Sequence, residues 1–373
     1  MENMGALMFG DVYKNKKVLV TGHTGFKGSW LTTWLLELGA DVVGISKDIP
    51  THPSMFEELH LQEKIKHCQE DIRDLEKMKA IIGEEKPEFV FHLAAQPIVS
   101  TSYKDPIETI SSNVMGTANI LEALKESNHP CTAVIITSDK AYDNVEQVWG
   151  YKEDDKMGGK DIYSGSKGAA ELIIKSYYHS FFKSADSQVK LAIGRAGNVI
   201  GGGDWAKDRI VVDCMESWSQ GKAVEIRSPK ATRPWQHVLE PLSGYLNLGA
   251  ELYKKDTLDG EAFNFGPRAE QNRSVEELLH DLSRYWDFKQ VEDAYRVTDN
   301  IPFHEAGLLK LNCDKALFYL QWQANLNYEE TIRFTSEWYY DFYKNNADML
   351  EKTRRQIQEY EQMAQEKGLL WSK

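Results

Sequence analysis

The apolar run Ala133-Val134-Ile135-Ile136-Thr137-Ser138 ends on Asp139 and Lys140, and Tyr163-Ser164-Gly165-Ser166-Lys167 follows twenty-three residues later. That spacing can bring four ionisable groups, Asp139, Lys140, Tyr163 and Lys167, around one cofactor. A lysine one helical turn beyond a tyrosine lies on the same helix face and stabilises its phenolate, so Tyr163 and Lys167 by themselves predict a dehydrogenase core. The added acid and amine ask for a second reaction, and the four together point to redox chemistry coupled to a proton-dependent elimination. Tyr163 is expected to be the base and Lys167 its tuner, because a phenol near pKa ~10 needs a neighbouring cation to act at neutral pH.

These groups need a frame, and the N-terminal stretch reads as one. Lys17-Val18-Leu19-Val20 is a short buried-type strand running into Gly22-x-x-Gly25-x-x-Gly28, then a helix with Trp30, Leu31, Trp34, Leu35 and Leu38 on one face. Gly39 stops that helix, and residues 41–46 form a second strand. Between a first strand and a first helix, the loop of Gly22, Thr24, Gly25, Phe26, Lys27 and Gly28 is predicted to bind a dinucleotide, its backbone N–H groups approaching the pyrophosphate. After the second strand, Asp48 favours a ribose diol and thus NAD, whereas Lys47 would tolerate the phosphate of NADP. Asp71 and Ile72 are candidates for the adenine edge, or an ordinary exposed loop. Leu93, Ala94, Ala95 and Gln96 end a strand with small residues, as backbone passing close to a cofactor requires. Asn113, polar in an apolar helix pattern, either holds a water chain to Lys167 or satisfies a buried carbonyl.

Further strands are expected at 89–94, 133–138 and 189–195 with helical patterns between them, which implies a parallel sheet covered on both faces. Residues 14–195 read as the dinucleotide-binding domain, with returning segments about 237–266. Residues 196–236 and 267–345, broken by Pro229, Pro234, Pro267 and Pro302, read as a smaller lobe, and 346–373 as a helical tail, solvated or packed on another subunit.

At 373 residues, 42% apolar and 27% charged, the chain has the composition of an ordinary soluble globular protein, and its net charge of −13 argues against nucleic acid or acidic membranes as partners. The cysteines Cys68, Cys131, Cys214 and Cys313 are scattered without metal-ligand spacing, so reduced thiols and no metal are expected. No stretch approaches the ~20 apolar residues of a membrane span, and a cytoplasmic protein follows.

Several long motifs, in order, resemble the extended short-chain dehydrogenases/reductases, and more narrowly the CDP-glucose 4,6-dehydratases among them: Gly22 to Leu31, His92 to Pro97, Ser138-Asp139-Lys140, Arg195 to Trp205 and Ala231 to Val238. The likeness extends to about Tyr340. Two positions depart from the pattern, Ala141 where Cys is expected and Gly165 in place of Ser, and neither removes an ionisable group. The resemblance implies an α/β fold, a Rossmann-type doubly wound parallel sheet with a smaller mixed C-terminal substrate lobe, and NAD as a recycled cofactor. It implies dehydration of CDP-glucose to CDP-4-keto-6-deoxyglucose, a step of deoxysugar synthesis for lipopolysaccharide O-antigen. Oxidation at carbon 4 acidifies carbon 5, water leaves across carbons 5 and 6, and hydride returns to carbon 6.

In that scheme Tyr163 takes the carbon 4 hydroxyl proton, Ser138 donates to the carbon 4 oxygen, and Asp139, kept protonated by burial, is the acid at carbon 6. Lys140 is either the carbon 5 base or a cation stabilising the enolate. Gln96, Asn198, Arg209, Arg233 and His237 are implied substrate contacts, with Trp205 and Trp235 shaping the base and ribose pocket. A homodimer or a dimer of dimers is expected from the apolar helix faces at 113–124 and 166–178. The rival readings are a nucleotide-sugar 4-epimerase, which needs no acid at carbon 6, a dehydratase of another nucleotide sugar, and a dinucleotide-binding protein without catalysis.

Overall fold

The computed structural model describes residues 8–226, 228–268, 270–298 and 308–373, so Pro302 and most of the leader lie outside the described residues. The main sheet is parallel throughout: β1 (Lys17–Thr21), β2 (Asp41–Ser46), β3 (Lys66–Gln69), β4 (Phe89–His92), β5 (Cys131–Ile136), β6 (Val189–Ala196) and β7 (Ala262–Phe265). Their order is β7-β6-β5-β4-β1-β2-β3. The order reverses between β1 and β4, and a doubly wound sheet opens its ligand crevice at the carboxyl ends of such a pair. β3, Lys-His-Cys-Gln, carries no apolar alternation, which is why the sequence does not announce it. β4 and β5 end two residues before the expected limits, because Leu93-Ala94 and Thr137-Ser138 leave the sheet for the crevice.

Alternate strand residues feed two cores. Leu19, Ile45, Val90, Ile135 and Leu191 pack with Met78 and Ile82 of α2 (Leu75–Glu85), Ile120 and Leu124 of α3 (Gly116–Ser127) and Ile174 of α4 (Ile162–Tyr177). Val18, Val20, Phe91 and Val134 face the other way, onto Trp30 and Trp34 of α1 (Phe26–Glu37) and Leu242 and Leu246 of α5 (Leu239–Lys254). Burying each such side chain contributes about 1.5–3 kcal/mol, so the sheet is fixed by both layers rather than by strand propensity.

Short pairings tie the segmented region together: Val199–Ile200 with Gln236–His237, Val224–Ile226 with Tyr295–Val297, and Thr232–Arg233 with Arg273–Ser274. Two late helices, α6 (Tyr328–Tyr340) and α7 (Met349–Glu366), follow. Against the expectation of a solvated or subunit-packing tail, α7 lies on α1 of its own chain. Trp34 Nε1 donates to Glu361 at 2.7 Å, Arg354 meets Glu37 at 2.7 Å, and Ile357, Tyr360 and Ala364 are buried. The charges on the remaining face had masked this apolar stripe.

Candidate active site

A cavity of about 1410 Å³ opens at the carboxyl ends of β1, β4 and β5 and runs from the glycine turn to Arg233. At one end, β1 feeds Gly22, whose φ of +76° is strained for a side chain and whose added Cβ would stand 2.8 Å from the Ala94 nitrogen. Gly28 is tighter: a Cβ there would lie 2.1 Å from the Gly22 oxygen. Gly25 differs, since its Cβ would meet only the Gly22 oxygen, at 3.4 Å, within the cavity wall. It is also the N-cap of α1 with no side-chain cap, so the first N–H groups of that helix are left to an anion in the crevice. Thr24 Oγ1 holds the Asp48 carbonyl at 2.7 Å, and Phe26, Lys27, Leu93, Ala94, Ala95, Asp71 and Ile72 line the same space. This donor set fits a dinucleotide.

The middle of the cavity holds the ionisable groups. Ser138 caps a single turn after β5, accepting from the Lys140 N–H at 3.2 Å and donating to Asp139 Oδ1 at 3.0 Å. The turn separates its two charged side chains: Lys140 lines the main cavity, whereas Asp139 lines a small adjoining hollow with Gly197 and Gln236. Burial raises the Asp139 pKa against the opposing pull of Lys140, the Ser138 hydroxyl and Lys27. That is the direction an acid for a leaving hydroxyl requires.

On α4, Tyr163 and Lys167 share a face, with the Lys167 ammonium 6.0 Å from the ring centre. The pKa values run opposite to the expected tuning. Burial, with the Asp139 charge beside it, pushes Tyr163 up to about 12, and burial pulls Lys167 down to about 8. Desolvation of the phenolate sets this direction, and the Ser138 hydroxyl and Arg209 pull against it. Lys27 is likewise depressed to about 8, by burial and then by Arg209.

The remaining expected residues divide. Asn198, Arg209 and Arg233 stand on the cavity wall, Arg209 paired with Asp204 and close enough to Lys27 to act on its charge, and Arg233 donating to the Thr232 carbonyl at 2.9 Å. Trp235 lines it too. Gln96 reaches the wall, but its amide is spent within the protein, donating to Thr109 Oγ1 of the helix Pro106–Ile110 at 2.8 Å and to the Ile98 carbonyl at 3.0 Å. Asn113 is not on the wall: it accepts from the Gln96 N–H at 2.8 Å and donates to the Gln96 carbonyl and Ser166 Oγ, satisfying buried backbone. His237 is also placed away from the cavity. Its ring is wholly buried against Trp30 and Phe334, because the two-residue strand that carries it turns it inward. Trp205 packs in the core on Trp338 and Phe342.

Two supporting groups escape the sequence reading. Glu171, two turns beyond Tyr163 on α4, accepts from Thr137 Oγ1 at 2.6 Å and grips Arg195. Its spacing of four from Lys167 was the available signal. His92 is clamped between Thr21 Oγ1 at 2.7 Å and Thr117 Oγ1 at 3.0 Å, and burial drops its pKa to about 3, so it is a neutral strut behind the crevice. Among the described residues no group of three or more His, Cys, Asp or Glu is placed to hold a metal ion.

The reversed sheet order, the glycine turn at its switch point and the Tyr163/Lys167 pair define an extended short-chain dehydrogenase/reductase. Residues 19–335 match the family described as GDP-mannose 4,6 dehydratase, and the chain belongs to that family. It is 48% identical over 353 residues to a CDP-glucose 4,6-dehydratase of Salmonella typhimurium, covering 93% of this chain and 97% of that one. A CDP-paratose 2-epimerase of Salmonella typhi is 26% identical, over 86% of this chain and 98% of its own. In fold the chain is similar to the crystal structure of a dTDP-glucose 4,6-dehydratase from Bacillus anthracis in complex with NAD, with a TM-score of 0.72, 19% identity, and 90% and 99% of the two chains covered.

Proposed function

We propose that this protein converts CDP-glucose to CDP-4-keto-6-deoxyglucose with an internally recycled NAD. The observation that supports the reading best is the capped turn after β5, which puts Ser138 and Lys140 on the cavity with Tyr163 and keeps the buried Asp139 in the adjoining hollow, near enough to act on Tyr163, since an acid and an amine next to a redox centre serve an elimination and are superfluous to oxidation alone. The choice of cytidine rests on the Salmonella typhimurium relative. NAD, held by the glycine turn and the residues after β4, supplies hydride acceptance at carbon 4 and hydride return at carbon 6.

The chain's own residues do the rest. Tyr163 receives the carbon 4 hydroxyl proton, with the Ser138 hydroxyl on the same cavity wall fixing the oxygen it leaves. Lys167 holds the positive charge that this transfer needs on the inner side of Tyr163. With a ketone at carbon 4, Lys140 withdraws the carbon 5 proton or stabilises the enolate as a cation, while Asp139 protonates the carbon 6 hydroxyl so that it departs as water. Arg209, Arg233 and Asn198 line the cavity and are suited to the diphosphate, since guanidinium forks match phosphate oxygens.

A homodimer is the proposed assembly, supported by the exposed apolar side chains Ile107, Met115, Leu172 and Phe181 along the short helix Pro106–Ile110, the turn before α3, and α4 with its continuation. A cytoplasmic setting is supported by four free cysteines, and no helix among the described residues is long and apolar enough to cross a membrane.

Mass spectrometry of products from separate incubations with CDP-, dTDP-, UDP- and GDP-glucose and NAD tests the reading. Loss of one water from the CDP sugar alone is expected. An unchanged mass with a new stereoisomer would replace the dehydratase by an epimerase, and no change with any of the four would leave the reading without support.

A further inference from the structure

The adenosine end of the cavity holds an ionic cluster that the reaction does not use. Lys47 directly follows the last residue of β2, the position from which a side chain reaches the 2′ oxygen of the adenosine ribose, and a cation there ordinarily welcomes the 2′-phosphate of NADP. Here the Lys47 ammonium is turned to Glu108, 2.8 Å from Oε1. The other oxygen of Glu108 takes Nη1 of Arg73, whose remaining fork is closed on Asp71: Nη2 meets Oδ2 at 2.5 Å and Nε lies 3.0 Å from Oδ1. Glu108 is itself held, by the Ser112 hydroxyl at 3.2 Å and by its N–H on Asp105 at 2.9 Å. Lys47, Asp48 and Asp71 line the cavity, while Glu108 and Arg73 stand behind them.

We propose that Glu108 makes the cofactor site selective for NAD over NADP by holding both cations of its adenosine end, Lys47 and Arg73, away from a 2′-phosphate. Asp71 and Glu108 engage both Lys47 and Arg73, and Asp48 stands on the same wall, so neither cation is left to meet the charge of about −2 that an NADP phosphate would bring. A ribose hydroxyl, by contrast, meets a carboxylate acceptor in Asp48. Selectivity here is built as a penalty on the wrong cofactor rather than as a tighter grip on the right one. The residue comes from the helix before Asn113, far from the glycine turn in sequence, and it leaves the reacting end of the cavity untouched.

The proposal rests on the dinucleotide reading, and direct binding separates the two. Dissociation constants of NAD and NADP for the cofactor-free protein are measured by calorimetry, for the wild type, E108Q, E108A and the double variant K47M/E108Q, with melting temperatures as the check on folding. The wild type is expected to bind NAD much more tightly than NADP. In E108Q and E108A the ratio of the two constants falls about tenfold or more through a gain in NADP affinity, and K47M/E108Q loses the share of that gain that Lys47 supplies. Folded E108Q and E108A with the wild-type ratio would overturn the role of Glu108 while leaving the dinucleotide site standing. A wild type that prefers NADP would also overturn it, and a wild type that binds neither cofactor would remove both readings.

Discussion

Glu171 and Arg195 are locked together with no exposed surface on either side chain: Nε meets Oε1 at 2.7 Å and Nη2 meets Oε2 at 2.6 Å. The pair joins α4, which carries Tyr163 and Lys167, to β6, and Thr137 at the end of β5 adds a third anchor. Leaving a buried charge without its partner costs about 3–5 kcal/mol, whereas replacing both partners by apolar residues of similar volume costs far less. Glu171→Leu is therefore expected to lose about that much stability in urea, and Glu171→Leu with Arg195→Met to regain much of it.

Gly25 and Gly28 separate a binding role from a packing role. Gly25→Ala puts a methyl into the crevice without a backbone clash, so the expected outcome is an unchanged melting temperature with NAD affinity down about tenfold or more. Gly28→Ala drives a methyl to within 2.1 Å of the Gly22 oxygen, and both folding and binding are expected to suffer. Melting curves with and without NAD distinguish the two.

Asp139→Asn keeps the shape of the turn and removes the proton. Oxidation at carbon 4 should persist while water loss falls by roughly 10²–10⁴-fold, so that reduced cofactor and an undehydrated keto sugar accumulate, visible by fluorescence and mass spectrometry. Equal loss of both steps would assign Asp139 to the fold instead.

Lys167 sets a pH dependence whose sign is fixed by its burial. Its pKa is about 8 in the folded chain and 10.5 in the unfolded one. Between those values the unfolded chain binds the extra proton, so stability rises with pH across the window, and the full cost of the buried ammonium, about 3 kcal/mol, is felt below pH 8. Lys167→Met is expected to be more stable than the wild type below about pH 8, with the gap closing toward pH 10.5. A gap independent of pH would mean that packing, not charge, separates them.

Much of this site is legible before any coordinates. The Tyr163/Lys167 face follows from helical spacing, and the glycine turn from its place between a strand and a helix. Asp139 and Lys140 stand out because charges seldom end an apolar strand. Legibility stops where two sequence-distant segments meet. Glu108 finds Lys47 across sixty-one positions, and nothing in either neighbourhood marks the contact. His237 shows a second limit: a two-residue strand has too little alternation to say which side faces the core, so proximity to Arg233 in sequence does not carry it into the cavity. The Tyr163 pKa shows a third, since spacing reveals the tuning cation but not the depth of burial that opposes it.

The packing of α7 on α1 bears on where this chain can be cut. The family match ends at residue 335, inside α6, and an expression boundary drawn there would strip Glu361, Tyr360 and Trp371 from the outer side of Trp34. The same helix begins, eight residues earlier, at the glycine turn. A fragment trimmed to the matched region would thus keep every residue of the proposed chemistry and still lose the buttress of its cofactor loop.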